Sequence, residues 1–138
     1  MTIKFQPTSL IIYAESVDVS TDFYRDVLNS NPIERFDGFS VFILSEGITL
    51  GIQSKSGITP KPEDSFGGFE ISASNADRET VDYLYAEWVK KGVRIEMAPT
   101  ELDFGYTFVA LDPDGHRLRV CATDTTNIKK IPLGRTSD

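Results

Sequence analysis

The chain has 138 residues, 40% of them hydrophobic, which supports a real core and argues against disorder. With 14 basic against 21 acidic residues, the net charge is −7, and general nucleic-acid binding is excluded because it needs a basic footprint. The single cysteine, Cys121, excludes an internal disulfide and a cysteine-rich zinc site.

In chain order, residues 8–13 have the length and composition of a strand. Their apolar run, 9–13, is too short for a signal-peptide core, and no stretch approaches the length of a membrane span. A cytoplasmic location is therefore expected. Asp18 offers an N-cap, and Val19, Phe23, Val27 and Leu28 recur at helical spacing, so a helix is expected over 19–29, ended by Asn29-Ser30-Asn31-Pro32. Residues 32–35, 39–44 and 48–53, separated by Asp37-Gly38 and Ser45-Glu46-Gly47, form a meander of three strands.

Residues 54–65, SKSGITPKPEDS, hold a glycine, two prolines and no aromatic residue, the composition of a linker. The pattern then restarts with a short strand at 69–72. A helix follows, capped by Asn75 or Asp77, with Val81, Leu84, Tyr85, Trp88 and Val89 as its apolar stripe. Lys91-Gly92 stops it, and strands at 93–97, 106–111 and 117–121 follow. The remaining residues are polar.

The order is thus βαβββ, linker, βαβββ. Gly38-Phe39-Ser40-Val41-Phe42-Ile43-Leu44 aligns with Gly105-Tyr106-Thr107-Phe108-Val109-Ala110-Leu111. Each copy is a glycine, an aromatic, a hydroxyl and an apolar run, followed by an acidic turn with glycine, which marks an internal duplication.

Two motifs carry a family likeness: Ser20-Thr21-Asp22-Phe23-Tyr24-Arg25-Asp26-Val27-Leu28 on the first helix, and Phe104-Gly105 with the later Asp112-Pro113-Asp114-Gly115-His116. In these the sequence resembles the vicinal oxygen chelate superfamily of glyoxalases, bleomycin-resistance proteins and extradiol dioxygenases. The resemblance covers roughly residues 8–122. It implies an α+β fold of two tandem βαβββ modules, whose eight strands form a cup-shaped mixed sheet around a ligand cavity, within a homodimer. The expected layout is one domain over 1–138: module one at 8–54, a linker at 55–65, module two at 66–122 and a polar tail at 123–138. Within the superfamily, the stretch FGYTFVALDPDGHRLRVCATD looks most like the phenazine-antibiotic resistance proteins, metal-free members that hold a planar aromatic antibiotic.

Enzymes of the superfamily hold a divalent metal with His and Glu from four strand positions. By the family's spacing these positions fall on Ser9, Gly51, Gly68 and Arg119. None is an imidazole or a carboxylate, and the guanidinium of Arg119 would repel a cation. No metal and no other cofactor is expected. His116, the sole histidine, reads as a solvated or hydrogen-bonded turn residue, with no carboxylate or nucleophile fixed beside it by spacing. Cys121 reads as inert core, so no catalytic residue is expected.

What the pattern leaves is a cup with a different lining. Strand alternation puts Ser9 with Ile11, Gly51 with Gln53, Gly68 with Glu70, Tyr106 with Phe108, and Arg117 with Arg119. Gly51 and Gly68 leave room for a flat ligand. Arg119 either grips or stacks on that ligand, or pairs with Glu70 as a structural tie in place of the metal. Tyr106, Phe108 and Phe39 offer apolar or stacking walls. Gln53 stands where the phenazine-binding relatives carry an aromatic residue, a departure that bears on ligand identity. The expected function is non-enzymatic binding and sequestration of a planar, aromatic antibiotic or metabolite by Arg119, Gln53, Tyr106, Phe108, Phe39, Ser9, Gly51, Gly68 and Glu70. The alternative is a lyase, isomerase or dioxygenase-type enzyme on the same scaffold. Expected partners are a small molecule and a second copy of the chain, with neither nucleic acid nor membrane.

Overall fold

The computed structural model describes residues 3–64, 68–130 and 132–133. The expected junction of linker and second module at 65–67, and the end of the tail at 134–138, lie outside them. The chain divides into two compact units, and each repeats the same order of elements.

The first unit comprises the chain up to Phe69 together with Asp112–His116. It carries β1 (Ser9–Ala14), α1 (Val17–Leu28), β2 (Glu34–Phe36), β3 (Phe39–Ser45) and β4 (Ile48–Ser54). The four strands form one mixed sheet in the order β1-β4-β3-β2, with β1 parallel to β4. The helix begins two residues earlier than the spacing of its apolar residues suggests. Its N-cap is Ser16, whose side chain accepts the Val19 amide at 3.2 Å, whereas Asp18 lies inside the first turn. Asn29 ends α1 in the left-handed conformation with φ 52°, which asparagine tolerates well.

Helix α1 covers one face of this sheet. Its buried Thr21 hydroxyl bonds the Ser40 hydroxyl at 2.8 Å, and the Tyr24 and Phe42 rings lie 6.4 Å apart. With Ile12, Leu50 and Ile52, all buried, these residues make the unit's core.

The second unit comprises Glu70–Leu111 and the chain from Arg117 onward. It carries β5 (Glu70–Ala73), α2 (Arg78–Lys90), β6 (Arg94–Leu102), β7 (Gly105–Leu111) and β8 (Arg117–Thr123), with sheet order β5-β8-β7-β6. This is the order of the first sheet, so the duplication read from the sequence is a duplication of topology. The eight strands are hydrogen-bonded as two four-stranded sheets. Of the two candidate caps for α2, Asp77 is used, and its carboxylate accepts the Thr80 amide at 2.7 Å. Strand β6 runs five residues further than expected because irregularities between Ile95 and Thr100 let it follow β7 past Pro99.

The two aligned glycines open β3 and β7 with φ of 97° and 142°, both awkward for other residues. At Gly105 the constraint is also steric, because a Cβ there would stand 2.3 Å from the Ala122 carbonyl oxygen. Among the described residues, no helix is long and apolar enough to cross a membrane.

Candidate functional site

In the first unit, the sheet face opposite α1 is built in three rows across β1, β4 and β3. Ser9, Thr49 and Ile43 form one row, Ile11, Gly51 and Val41 the next, and Tyr13, Gln53 and Phe39 the third. The period of two sends their side chains away from the helix. The surface is largely apolar and open: Ile11 and Ile43 are 52% and 53% exposed, and Tyr13 is exposed as well. The sequence-predicted residues Ser9, Phe39, Gly51 and Gln53 are thus brought to one face.

Their detailed roles differ from expectation. Gly51 does not leave a gap: the Phe39 ring lies over it, with Cζ 3.1 Å from where a Cβ would stand, and Ile11 Cγ1 is 3.2 Å from the same point. The missing side chain leaves the space above Gly51 to the tip of an aromatic ring. Ser9 Oγ is engaged with Thr49 Oγ1 at 2.8 Å, and Gln53 Nε2 donates to the Ser54 carbonyl at 3.1 Å. Gly68 precedes β5 with φ 75°, so it is not on a strand face and does not pair in register with Glu70.

In the second unit, Arg119 sits on the face opposite α2. Its Nε donates to Glu70 Oε1 at 2.8 Å and its Nη1 to Thr107 Oγ1 at 3.2 Å, while the guanidinium carbon lies 5.4 Å from the centre of the Phe104 ring. Glu70, Ser72, Phe104 and Cys121 join it around a shallow pocket of about 330 Å³. The tie to Glu70, one of the two roles read for Arg119, is therefore present.

Tyr106 and Phe108 are on the other side. Phe108 is fully buried, edge-on to Tyr85 and Trp88 of α2 at 5.6 and 5.3 Å. Tyr106 donates to Asp82 at 2.6 Å and lies under the Arg78 guanidinium, both on α2. Neither residue lines a wall beside Arg119, because Val109, not Phe108, is its partner across the β7–β8 ladder.

The four family metal positions do not fit a metal. A hydroxyl already bonded to a neighbour, a glycine covered by a ring, a glycine outside the sheet and an ion-paired guanidinium offer no anionic or imidazole donor.

One polar centre was not legible in the sequence. In the turn between β7 and β8, the Asp112 carboxylate is 1% exposed. Its Oδ1 accepts the Asp114 and His116 amides at 2.9 and 2.8 Å. Its Oδ2 accepts the Tyr24 hydroxyl at 2.7 Å and lies 2.7 Å from His116 Nδ1. A carboxylate is therefore fixed beside His116 after all. Burial alone would raise the Asp112 pKa, but the hydrogen bonds from His116 and Tyr24, with the His116 charge, outweigh it and hold the group below its ordinary range. The bond to Asp112 raises the His116 pKa against the opposing effect of burial. Burial, then the Asp112 charge, pushes the Tyr24 phenol far up, so Tyr24 acts only as a donor. The Asp-Pro-Asp-Gly turn was the available signal, since a leading Asp accepts nearby backbone amides. The partner Tyr24, 88 residues away, was not.

Two βαβββ units with a helix on one face of each sheet define the architecture of the glyoxalase-like proteins. The model of the Glyoxalase/Bleomycin resistance protein/Dioxygenase superfamily matches residues 6–120, and the chain belongs to that superfamily. Among characterised relatives it is 34% identical over 122 residues to the phenazine antibiotic resistance protein EhpR of Enterobacter agglomerans, covering 86% of this chain and 92% of that protein. Among solved structures it is similar to a protein of Agrobacterium tumefaciens determined by NMR, with a TM-score of 0.78 and 37% identity over 88% of this chain and 99% of the other. A glyoxalase/bleomycin resistance protein/dioxygenase from Nocardioides shares the fold, with a TM-score of 0.78 at 18% identity, covering 97% and 93% of the two chains.

Proposed function

We propose that this protein binds and sequesters a small, planar, aromatic compound without transforming it, as a cytoplasmic homodimer. The observation that carries this reading is the open, largely apolar face of the first sheet, where the tip of the Phe39 ring occupies the space above Gly51, whose row neighbours are Ile11 and Val41. An open, largely apolar surface that includes an aromatic ring suits a fused-ring ligand, which gains area burial and ring contacts there. The Gln53 amide at the edge of this face supplies a polar contact. Within the second unit, Arg119, already tied to Glu70, offers its own pocket a cationic group suited to a carboxylate. Similarity to a phenazine antibiotic resistance protein supports the same ligand class, and the absence of donors at the four metal positions favours binding over metal-dependent chemistry.

A panel of phenazine, phenazine-1-carboxylate, a fused-ring quinone and non-planar cyclohexane controls tests it by thermal shift and intrinsic fluorescence. The planar compounds are expected to raise the melting temperature and to be recovered unchanged after prolonged incubation. If no planar compound stabilises the protein, or if the bound compound is recovered as a product, sequestration is wrong. Stoichiometric iron, zinc, nickel or manganese in the purified protein would favour the enzymatic alternative. Sedimentation at micromolar concentration tests the dimer.

A further inference from the structure

The first unit contains a second concavity that shares only Tyr13 with the proposed ligand face. It is a cleft of about 540 Å³ beside the turn after β7, with His116 on its wall. His116 is held by one ring nitrogen: Nδ1 is on the buried Asp112 carboxylate, itself fixed by Tyr24 and two backbone amides. The Phe69 ring meets the imidazole edge-on at 6.3 Å and restrains it further. Nε2 has no hydrogen-bond partner among the described residues, so a rigidly oriented nitrogen remains for a ligand.

The surrounding charge decides what that ligand is. Glu15, Glu63, Asp64 and Asp114 line the cleft, against the ammonium of Lys55. Lys55 is bonded to Asp64 and reaches Glu15 at 3.8 Å, and Asp114 accepts the Glu15 amide and the Ser20 hydroxyl. Glu63 has no such partner among the described residues. The cleft is therefore net negative with His116 neutral, and an anion would be repelled. Tyr13 adds an aromatic surface, which also favours a cation.

We propose that this cleft is a ligand site in its own right, taking a small aliphatic ammonium compound, with His116 Nε2 accepting one of its N–H groups and Glu63 balancing its charge. A protonated His116 has no lone pair at Nε2 and adds a like charge. Binding therefore strengthens as pH rises through the His116 titration. The groups facing that imidazole are Asp112 and Asp114 from the turn, Glu15 after β1, Lys55, and Glu63 and Asp64 from the linker. His116 is the imidazole of the cleft, and it is the group whose charge change the pH range tested is chosen to cover.

Calorimetric titration of the full chain with 1,4-diaminobutane, at low salt and from about pH 6 to about pH 9, tests this, with 1,4-butanediol as the uncharged control. The diamine is expected to bind, the diol not to, and affinity to rise with pH. His116→Gln should abolish that pH response, and Glu63→Gln, an exposed change that leaves the fold intact, should weaken the diamine about threefold. No heat with the diamine, equal binding of the diol, or a pH response that survives in His116→Gln would overturn the proposal. Phenazine binding is read in parallel in wild type and in His116→Gln, and is expected to be the same in both, so the two sites fail or stand separately.

Discussion

The Phe39 ring covers the α-carbon of Gly51, its Cζ 3.1 Å from the place a Cβ would take. The glycine and the ring are thus one feature, an aromatic patch set into the middle of a sheet face. Gly51→Val is expected to push the ring off the sheet and to crowd Ile11. It should cost about 1–3 kcal/mol of stability, as overpacking does, and lower affinity for planar ligands more than it lowers stability. Urea denaturation alongside phenazine titration separates the two effects.

The paired glycines of the duplication should not respond alike. Both Gly38 and Gly105 carry positive φ, but the nearest atom to a Cβ at Gly38 is Ser54 Cβ at 3.8 Å, against a backbone carbonyl oxygen at 2.3 Å for Gly105. Gly38→Ala should cost about 1–2 kcal/mol from backbone strain alone. Gly105→Ala must also shift β8, and it is expected to cost more than about 4 kcal/mol or to prevent accumulation of folded protein. Thermal melts of the two variants compare them directly.

The placement of Phe108 and Tyr106 against α2 has its own consequence. Phe108→Ala removes a fully buried ring between Tyr85 and Trp88 and should cost about 3–5 kcal/mol. Tyr106→Phe removes an exposed hydroxyl and should change stability by less than about 0.5 kcal/mol. Neither Tyr106→Phe nor an Asp82→Asn change is expected to alter ligand affinity. A large loss of binding in Tyr106→Phe would show that the residue faces the ligand.

The Asp112–His116 pair makes stability depend on pH in two opposite ways. His116 has its folded pKa raised above 6.5, so its contribution is complete below that value and is lost as pH rises through the folded pKa. Asp112 has its folded pKa lowered below 3.8, so its contribution is present above that value and is lost as pH falls through the folded pKa. Stability should therefore be greatest between the two. His116→Gln should flatten the alkaline side of the profile and, by removing the bond and charge that hold Asp112 down, also shrink the loss on the acid side. Tyr24→Phe, which deprives the buried carboxylate of one donor, should cost about 1–3 kcal/mol across the range.

How much of this was legible depended on how local each signal is. The element order, both helices and the glycine-led repeat came from periodicity and turn chemistry within short windows, and the topology bears them out. Alternation correctly grouped Ser9 with Ile11 and Gly51 with Gln53, but it does not say which face a helix covers. That is how Tyr106 and Phe108 were assigned to the ligand. The hairpin held the answer: Leu111 opposite Arg117 places Val109 opposite Arg119, and so sends Phe108 to the other face. The position of Gly68 failed because spacing borrowed from a family does not register a left-handed residue before the strand. The Tyr24–Asp112 bond joins residues far apart in sequence, and only the fold brings them together.

The most direct measurement of the central claim uses isoleucine methyl groups, because the first sheet carries isoleucines on both faces. Ile11 and Ile43 lie on the open side, while Ile12 and Ile52 are buried beneath α1. In methyl-resolved NMR spectra, phenazine is expected to displace the Ile11 and Ile43 resonances through its ring current and to leave those of Ile12 and Ile52 in place. Saturating phenazine that moves none of the four, or moves the buried pair as much as the open pair, would contradict the account.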